Sequence, residues 1–336
     1  MTTATMISGP TWAHRIARAR ETPVVVVLLA VVAGTSMVNS RFVSRQGIRD
    51  LLLAVSFIAL MAVGQTFVIV MRHVDLSVGS TLGLASYVGV LAMRNFPGVP
   101  LFWLFLAGAL VGLAVGLVNG VLVALLKLPA LVVTLGTLYV VQGIQAVVVA
   151  SKRINAVDLP KSVVDLGIHS VLGIPYLMWI VIFVAAVATP IARHTSFGRD
   201  LYAMGSNPDA AQLVGIPVPV RTIGAFMISG LCAGLAGALS LSRFGGTDVN
   251  AGIGLELSVV AACVIGGVFI FGGSGSPFGA VIGALLLKVI GTALPALKIN
   301  AFWQDAIIGG LIIAAISVDR IAVVRADRKR RLESRR

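Results

Sequence analysis

"TSFGRDLYAMGSNPDAAQLVGIPVPVR", residues Thr195 to Arg221, is a polar interruption between two long apolar runs, and its reading decides the fold. Asn207-Pro208-Asp209 carries the marks of a helix start: a capping amide, proline at the first helical position and an acid in the first turn. "PDAAQLV" follows, Gly215 supplies a left-handed stop, and Pro217 and Pro219 force an extended exit. A short capped helix is expected here, held between two segments with the length and apolarity of membrane crossings.

The surrounding composition fits that frame. The chain has 336 residues, 58% hydrophobic and 12% charged, with a mean hydropathy of +1.00. A soluble domain carries about a quarter charged residues. Apolar runs of roughly 20 residues recur throughout and suit helices crossing a core about 30 Å thick. The short alternating segments of barrel strands are absent. The fold class is therefore all-α integral membrane, with ten transmembrane spans expected at 23–38, 51–71, 77–93, 101–126, 129–150, 171–191, 222–242, 255–273, 276–297 and 302–318. The first span follows "HRIARAR", which makes a cleaved signal peptide its rival. No small-x-small cleavage site follows it, and it is read as retained.

Charge sets the orientation. With the N-terminus inside, the inside segments hold 16 of the 26 Lys and Arg residues, the outside loops hold 9, and Lys288 lies within a span. The positive-inside rule then places both termini and the Thr195–Arg221 stretch in the cytoplasm. The expected organisation is a cytoplasmic segment over 1–22, a membrane domain over 23–318 with a cytoplasmic loop at 192–221, and a basic cytoplasmic tail over 319–336. The net charge of +13 sits at span ends and in that tail, so lipid headgroups are the expected partner and nucleic acid is not.

Glycines recur every fourth residue at Gly112, Gly116 and Gly120, at Gly230 and Gly234, and at Gly275, Gly279 and Gly283. This spacing lets helix backbones approach closely in lipid. A fainter pattern joins "DLSV" at Asp75–Val78 to "ELSV" at Glu256–Val259, and "GLVNGVLVALLKLPAL" to "GAVIGALLLKVIGTALPAL". Both echoes are displaced by five spans, which would put two five-helix halves in opposite orientations. Chance matches in a low-complexity apolar sequence are the alternative.

Several chemistries are excluded. No "GK" pair occurs, so no phosphate-cradling loop is present. No Ser/His/Asp or H-E-x-x-H pattern appears, the four histidines lack metal-ligand spacing, and Cys232 and Cys263 lie in apolar runs. No catalytic residue, metal or cofactor is expected. The span interiors are nearly free of acids, unlike proton- or sodium-coupled carriers. They offer neutral polar groups instead: Gln65, Thr66, Asn119, Thr134, Thr137, Gln142 and Gln145. Gln65, Asn119, Thr134, Thr137 and Gln142 are candidates for a translocation path for an uncharged polyhydroxy solute. Interhelical hydrogen bonding is the plainer reading of each one alone.

Two segments read as helix breaks. In "MRHVDLSVGSTLG", Asp75 or Ser77 can cap the third span and Gly79 permits close approach. In "VIGGVFIFGGSGSPFG", Gly272, Gly273 and Gly275 form a tight turn between spans eight and nine, on the same side as Thr195–Arg221 and its natural neighbour. Lys288 is the one charge well inside a span, and snorkelling is its plain explanation.

"VDLSVGS", "FGRDLYAMGSNPDAAQLVGI" and "AACVIGGVFIFGGSGSPFGAVIGALLL", in this order, resemble the membrane permease of bacterial ABC importers for sugars, the ribose, xylose and galactose group. The resemblance runs from about Phe42 to Asp319. "MRHVDLSVGS", "VALLKLPALVVTLGTL" and "AFWQDAIIGG" are closer to the autoinducer-2 and rhamnose branch, with departures at Met71 and His73. The resemblance implies an inner-membrane translocation subunit that pairs with a second permease subunit, as a homo- or heterodimer. It also implies an extracytoplasmic solute-binding protein and a separate cytoplasmic ABC ATPase. It implies too that the opening stretch is the ATPase-coupling loop, with Gly198, Arg199, Tyr202, Gly205, Asn207, Ala210, Ala211 and Gly215 matching the family pattern and Asp209 beside them. A self-contained secondary transporter for a neutral polar solute is the alternative, distinguished by ATPase dependence.

Overall fold

The computed structural model describes residues 22–95, 101–149 and 154–333. The expected N-terminal segment, 1–22, falls almost wholly outside these, as do the last residues of the tail. The helices are α1 (Thr22–Val38), α2 (Arg45–Ile69), α3 (Val78–Asn95), α4 (Phe102–Ala124), α5 (Ala130–Val149), α6 (Lys161–Ile168), α7 (Tyr176–His194), α8 (Ser196–Ser206), α9 (Pro208–Leu213), α10 (Val218–Phe244), α11 (Leu255–Ile265), α12 (Pro277–Ala296) and α13 (Trp303–Glu333). A two-residue hairpin, β1 (Ser170–Val171) and β2 (Ile174–Pro175), precedes α7.

Among the described residues, six helices, α2, α4, α5, α7, α10 and α12, are long and apolar enough to cross a membrane. Thr22–Val38, Val78–Met93, Leu255–Ile265 and Trp303–Ala314 are shorter apolar helices. Each expected span thus has a helix, but the count of ten full crossings does not follow. Span eight, expected over 255–273, stops at Ile265, because Gly266 ends the helix and Gly267 turns at φ +87°. The apolar "VFIF" beyond it is loop. Span six starts at Tyr176 rather than 171, displaced by the hairpin.

Local signals explain the boundaries. Ser44 Oγ accepts from the Gly47 amide and opens α2; Ser276 Oγ accepts from the Gly279 amide and opens α12 with Pro277 at its first position. Gly245, at φ +63°, closes α10. The central helix α2 is buried on all sides from Val55 to Ile69. Beside it, α4 and α10 cross on facing glycines: a Cβ on Gly112 would meet the Gly230 carbonyl, and one on Gly234 would meet that of Gly108. The four-residue spacing is a backbone-to-backbone seam, where dispersion contacts replace the hydrophobic drive missing in lipid.

One end of the bundle carries α8 and α9 and is called the near end. Successive long segments alternate direction, so α1 starts and α13 finishes there. At the far end, Asn39 Nδ2 donates to the Ala296 carbonyl (3.3 Å), Arg49 Nη2 to that of Ile168 (2.6 Å), and Ile154 and Thr247 exchange backbone hydrogen bonds. Residues 246–254 do not stay there. They return into the bundle until a Cβ on Gly79 would lie 2.5 Å from the Gly252 carbonyl and 2.7 Å from Glu256 Oε2. Helices α3 and α11 therefore begin beside each other inside the bundle and run to opposite ends. Opposed directions also follow from simple alternation of the spans.

Candidate functional site

At the near end, the Thr195–Arg221 stretch is two helices, not one. The expected α9 is present: Asn207 Oδ1 accepts from the Ala210 amide (3.1 Å), Pro208 sits at its first turn, and Gly215 follows at φ +80°. Ahead of it, Thr195 Oγ1 caps α8 through the Gly198 amide (3.2 Å). The sequence signal for α8 was the buried set Gly198, Leu201, Met204 and Gly205, an i, i+3 stripe easily lost among polar neighbours.

The two helices form an arm fixed at both roots. Arg221 Nε donates to Asp200 Oδ2 (2.8 Å), and its guanidinium lies over the Phe197 ring at 5.8 Å, so α8 is tied to the first turn of α10. Arg199 Nη1 donates to the His194 carbonyl (2.7 Å), holding the corner with α7. Asp209 and Ala210 are exposed on α9, whereas Ala211 is buried. The arm ends in an apolar tip, with Leu213 88% and Val214 76% exposed.

The glycine-rich turn after α11 packs against this arm. Tyr202 Oη donates to the Gly275 carbonyl (2.8 Å), and the Gly273 amide donates to that of Val70 (2.8 Å). Arg72 spans the joint, donating from Nε to the Gly205 carbonyl and from Nη2 to that of Ser206 (2.9 Å). Gly272 and Gly273 both sit at φ +81°, and a side chain on Gly205 would strike the Val70 carbonyl. Burial pushes the Tyr202 hydroxyl above its ordinary range, against the opposing pull of the Arg193 charge. It is therefore a protonated donor at neutral pH.

Three residues beyond Arg72 lies a buried polar break between α2 and α3. Asp75 Oδ1 accepts from the Ser77 amide (3.0 Å) and Ser77 Oγ (2.6 Å), and Asp75 Oδ2 accepts from Ser229 Oγ (3.0 Å). Asn119 Nδ2 donates to Ser77 Oγ (2.9 Å), and Thr137 Oγ1 donates to Asn119 Oδ1 (2.7 Å). Thr134 Oγ1 donates to the Val74 carbonyl (3.2 Å), and Gln65 lies within reach of Ser229 (3.4 Å). One network thus joins α2, the break, α4, α5 and α10.

This placement separates the candidate path residues. Gln65, Asn119 and Thr134 are buried, and Asn119 and Thr134 hydrogen-bond to Ser77 and to the Val74 carbonyl of the break. Thr137 and Gln142 are half-buried on α5. Sequence reasoning assigned no role to Arg72, although it lies in "MRHVDLSVGS", and passed over Ser229, which no motif marks. It also left Gln145 unassigned; its Nε2 holds the Asp248, Val249 and Ala251 carbonyls.

A cavity of about 870 Å³ opens at the near end, lined by Arg72, His73, Lys127, Gln212 and the Ile216–Pro219 turn. No cluster of His, Cys, Asp or Glu able to hold a metal exists among the described residues, and Cys232 and Cys263 are buried free thiols.

A family model described as "Branched-chain amino acid transport system / permease component" matches residues 47–316. The autoinducer 2 import system permease protein of Escherichia coli (strain K12 / DH10B) is 37% identical over 294 residues, covering 88% of this chain and 84% of the relative. Its counterpart from Salmonella paratyphi B (strain ATCC BAA-1250 / SPB7) is 34% identical over 300 residues, covering 89% and 86%. The chain belongs to this permease family: it is a multi-pass inner-membrane permease component of a sugar-type ABC importer, not an enzyme, and ATP hydrolysis resides on a separate subunit.

Proposed function

We propose that this chain imports a sugar or sugar-like solute of the autoinducer-2 or rhamnose type, and that the α8–α9 arm is the cytoplasmic contact through which the ATPase drives it. One observation carries the reading. The arm is rooted at α7 and at α10, and it is stapled by Arg72 and Tyr202 to the two glycine-rich helix breaks. A push on the exposed Leu213–Val214 tip is delivered to Val70–Asp75 as a rigid-body displacement, which a loose loop would dissipate. A second permease subunit and an extracytoplasmic binding protein complete the assembly. The names of the relatives favour autoinducer-2, and the family description names branched-chain amino acids.

The test is co-purification with the partner ATPase and ATP-dependent uptake in vesicles. Leu213→Ser with Val214→Ser removes the apolar tip and leaves the membrane helices untouched. Loss of ATPase association with normal insertion is expected. Undiminished association, or uptake by this chain alone on an ion gradient, overturns the reading.

A further inference from the structure

Lys288 is the charge that membrane logic does not explain. It is the twelfth of twenty residues of α12, about 16 Å from its start and about 12 Å from its end at about 1.5 Å per residue. A lysine at that depth is costly unless it faces water or a partner. Its ammonium has no hydrogen bond or ion pair among the described residues. It does not snorkel along the lipid face: it lines a cavity of about 610 Å³.

That cavity descends from the far end. Asn155, Phe244 and Gly245 line it together with Phe57, Lys288 and Leu255, which lie near the midpoints of α2 and α12 and at the start of α11. Its wall is the returning segment 246–254, held by the Ile154–Thr247 backbone pair, by a Ser86–Thr247 hydroxyl contact (2.8 Å) and by Gln145. The volume lies within the range of small-ligand pockets, about 300–1,000 Å³. Mid-depth sites beside interrupted helices are where transporters hold solute.

We propose that this cavity is a binding site for a neutral polyhydroxy solute, with Lys288 and Asp248 as its polar anchors and the Phe57–Phe244 pair as its apolar wall. The lining selects the class. An anion would meet Asp248, a cation would meet Lys288, and an apolar molecule would leave both charges unpaired. Hydroxyls donate and accept, so one polyol satisfies Lys288, Asp248, Asn155 and Ser240 together. The tilted Phe57 and Phe244 rings, 5.7 Å apart, offer the C–H faces of such a solute an apolar surface. The site deepens the transport reading by giving the permease its own solute contact at the end away from the arm.

The test uses the purified full chain in nanodiscs of zwitterionic lipid, without ATPase, and saturation-transfer NMR with L-rhamnose, D-ribose and D-xylose. Transfer to at least one sugar is expected, together with slower amine labelling of Lys288 when it is present. Lys288→Met and Asp248→Asn should each weaken binding about tenfold, the loss of one charge-assisted hydrogen bond. Lys127→Met, in the near-end cavity, should not. No transfer to any sugar, transfer unchanged in both variants, or displacement by inorganic phosphate overturns the proposal. Since no ATPase is present, this result stands or falls separately from the co-purification test.

Discussion

Tyr202 and Gly275 are joined by a 2.8 Å hydrogen bond that bridges two segments 73 residues apart, the α8 arm and the turn before α12. Tyr202→Phe keeps the ring and deletes the donor, at a cost of about 1 kcal/mol. Uptake per ATP hydrolysed should fall while assembly persists, read by parallel ATPase and uptake assays. The wild-type bond is intact below the ordinary tyrosine range near pH 10 and is lost as pH rises through the raised value. An unchanged ratio in Tyr202→Phe would show that the bond carries no coupling.

Gly205→Ala adds one methyl where the Val70 carbonyl and the Gly273 amide already touch the backbone. The arm must lift, at about 1–3 kcal/mol for overpacking. Protease nicking within 195–221 should become several-fold faster while the spans stay protected. Equal nicking rates in variant and wild type would refute the close joint.

Asp75→Ala leaves Ser77, Ser229 and Asn119 without their common acceptor. The expected loss is about 3 kcal/mol or more, since the remaining groups stay buried. Asp75→Asn, which keeps one carbonyl acceptor, should cost less. Thermal unfolding in detergent ranks the three proteins; an alanine variant with the wild-type Tm would remove the break from the list of structural anchors.

Gly230→Val strikes the Gly112 carbonyl in the α4–α10 seam. A Cβ on Gly136 of α5 meets nothing within 4 Å, which makes Gly136→Val the control. Folded yield in membranes should collapse for the first variant and stay near wild type for the second. Similar yields for both would contradict the seam.

Much of this architecture was legible in the sequence because membrane helices announce themselves by continuous apolarity, and because caps such as Asn207-Pro208 and Gly215 act locally. The end of α11 was not legible: "VFIF" is as apolar as any span, and only backbone turning at Gly266 and Gly267 ends the helix. Nor could hydropathy show that Gln65 and Asn119 are linked through Ser229, Asp75 and Ser77. Direction is a property of packing, and a single polar letter carries none of it. Arg72 illustrates the remainder, since its value lies in carbonyls 133 and 134 residues away.

The shortness of α11 bears on how the protein is made. Eleven residues rise about 16 Å, roughly half of a 30 Å hydrocarbon core. Such a segment cannot leave the insertion machinery as an independent crossing with its chain ends in water on both sides. Its start must already be received by Gly79 and its end by the Gly279–Gly283 face of α12. Biogenesis therefore has a required order: α2, α3 and α10 settle first, and α11 enters with α12 as one hairpin, so the last quarter of the chain matures on a template built by what precedes it.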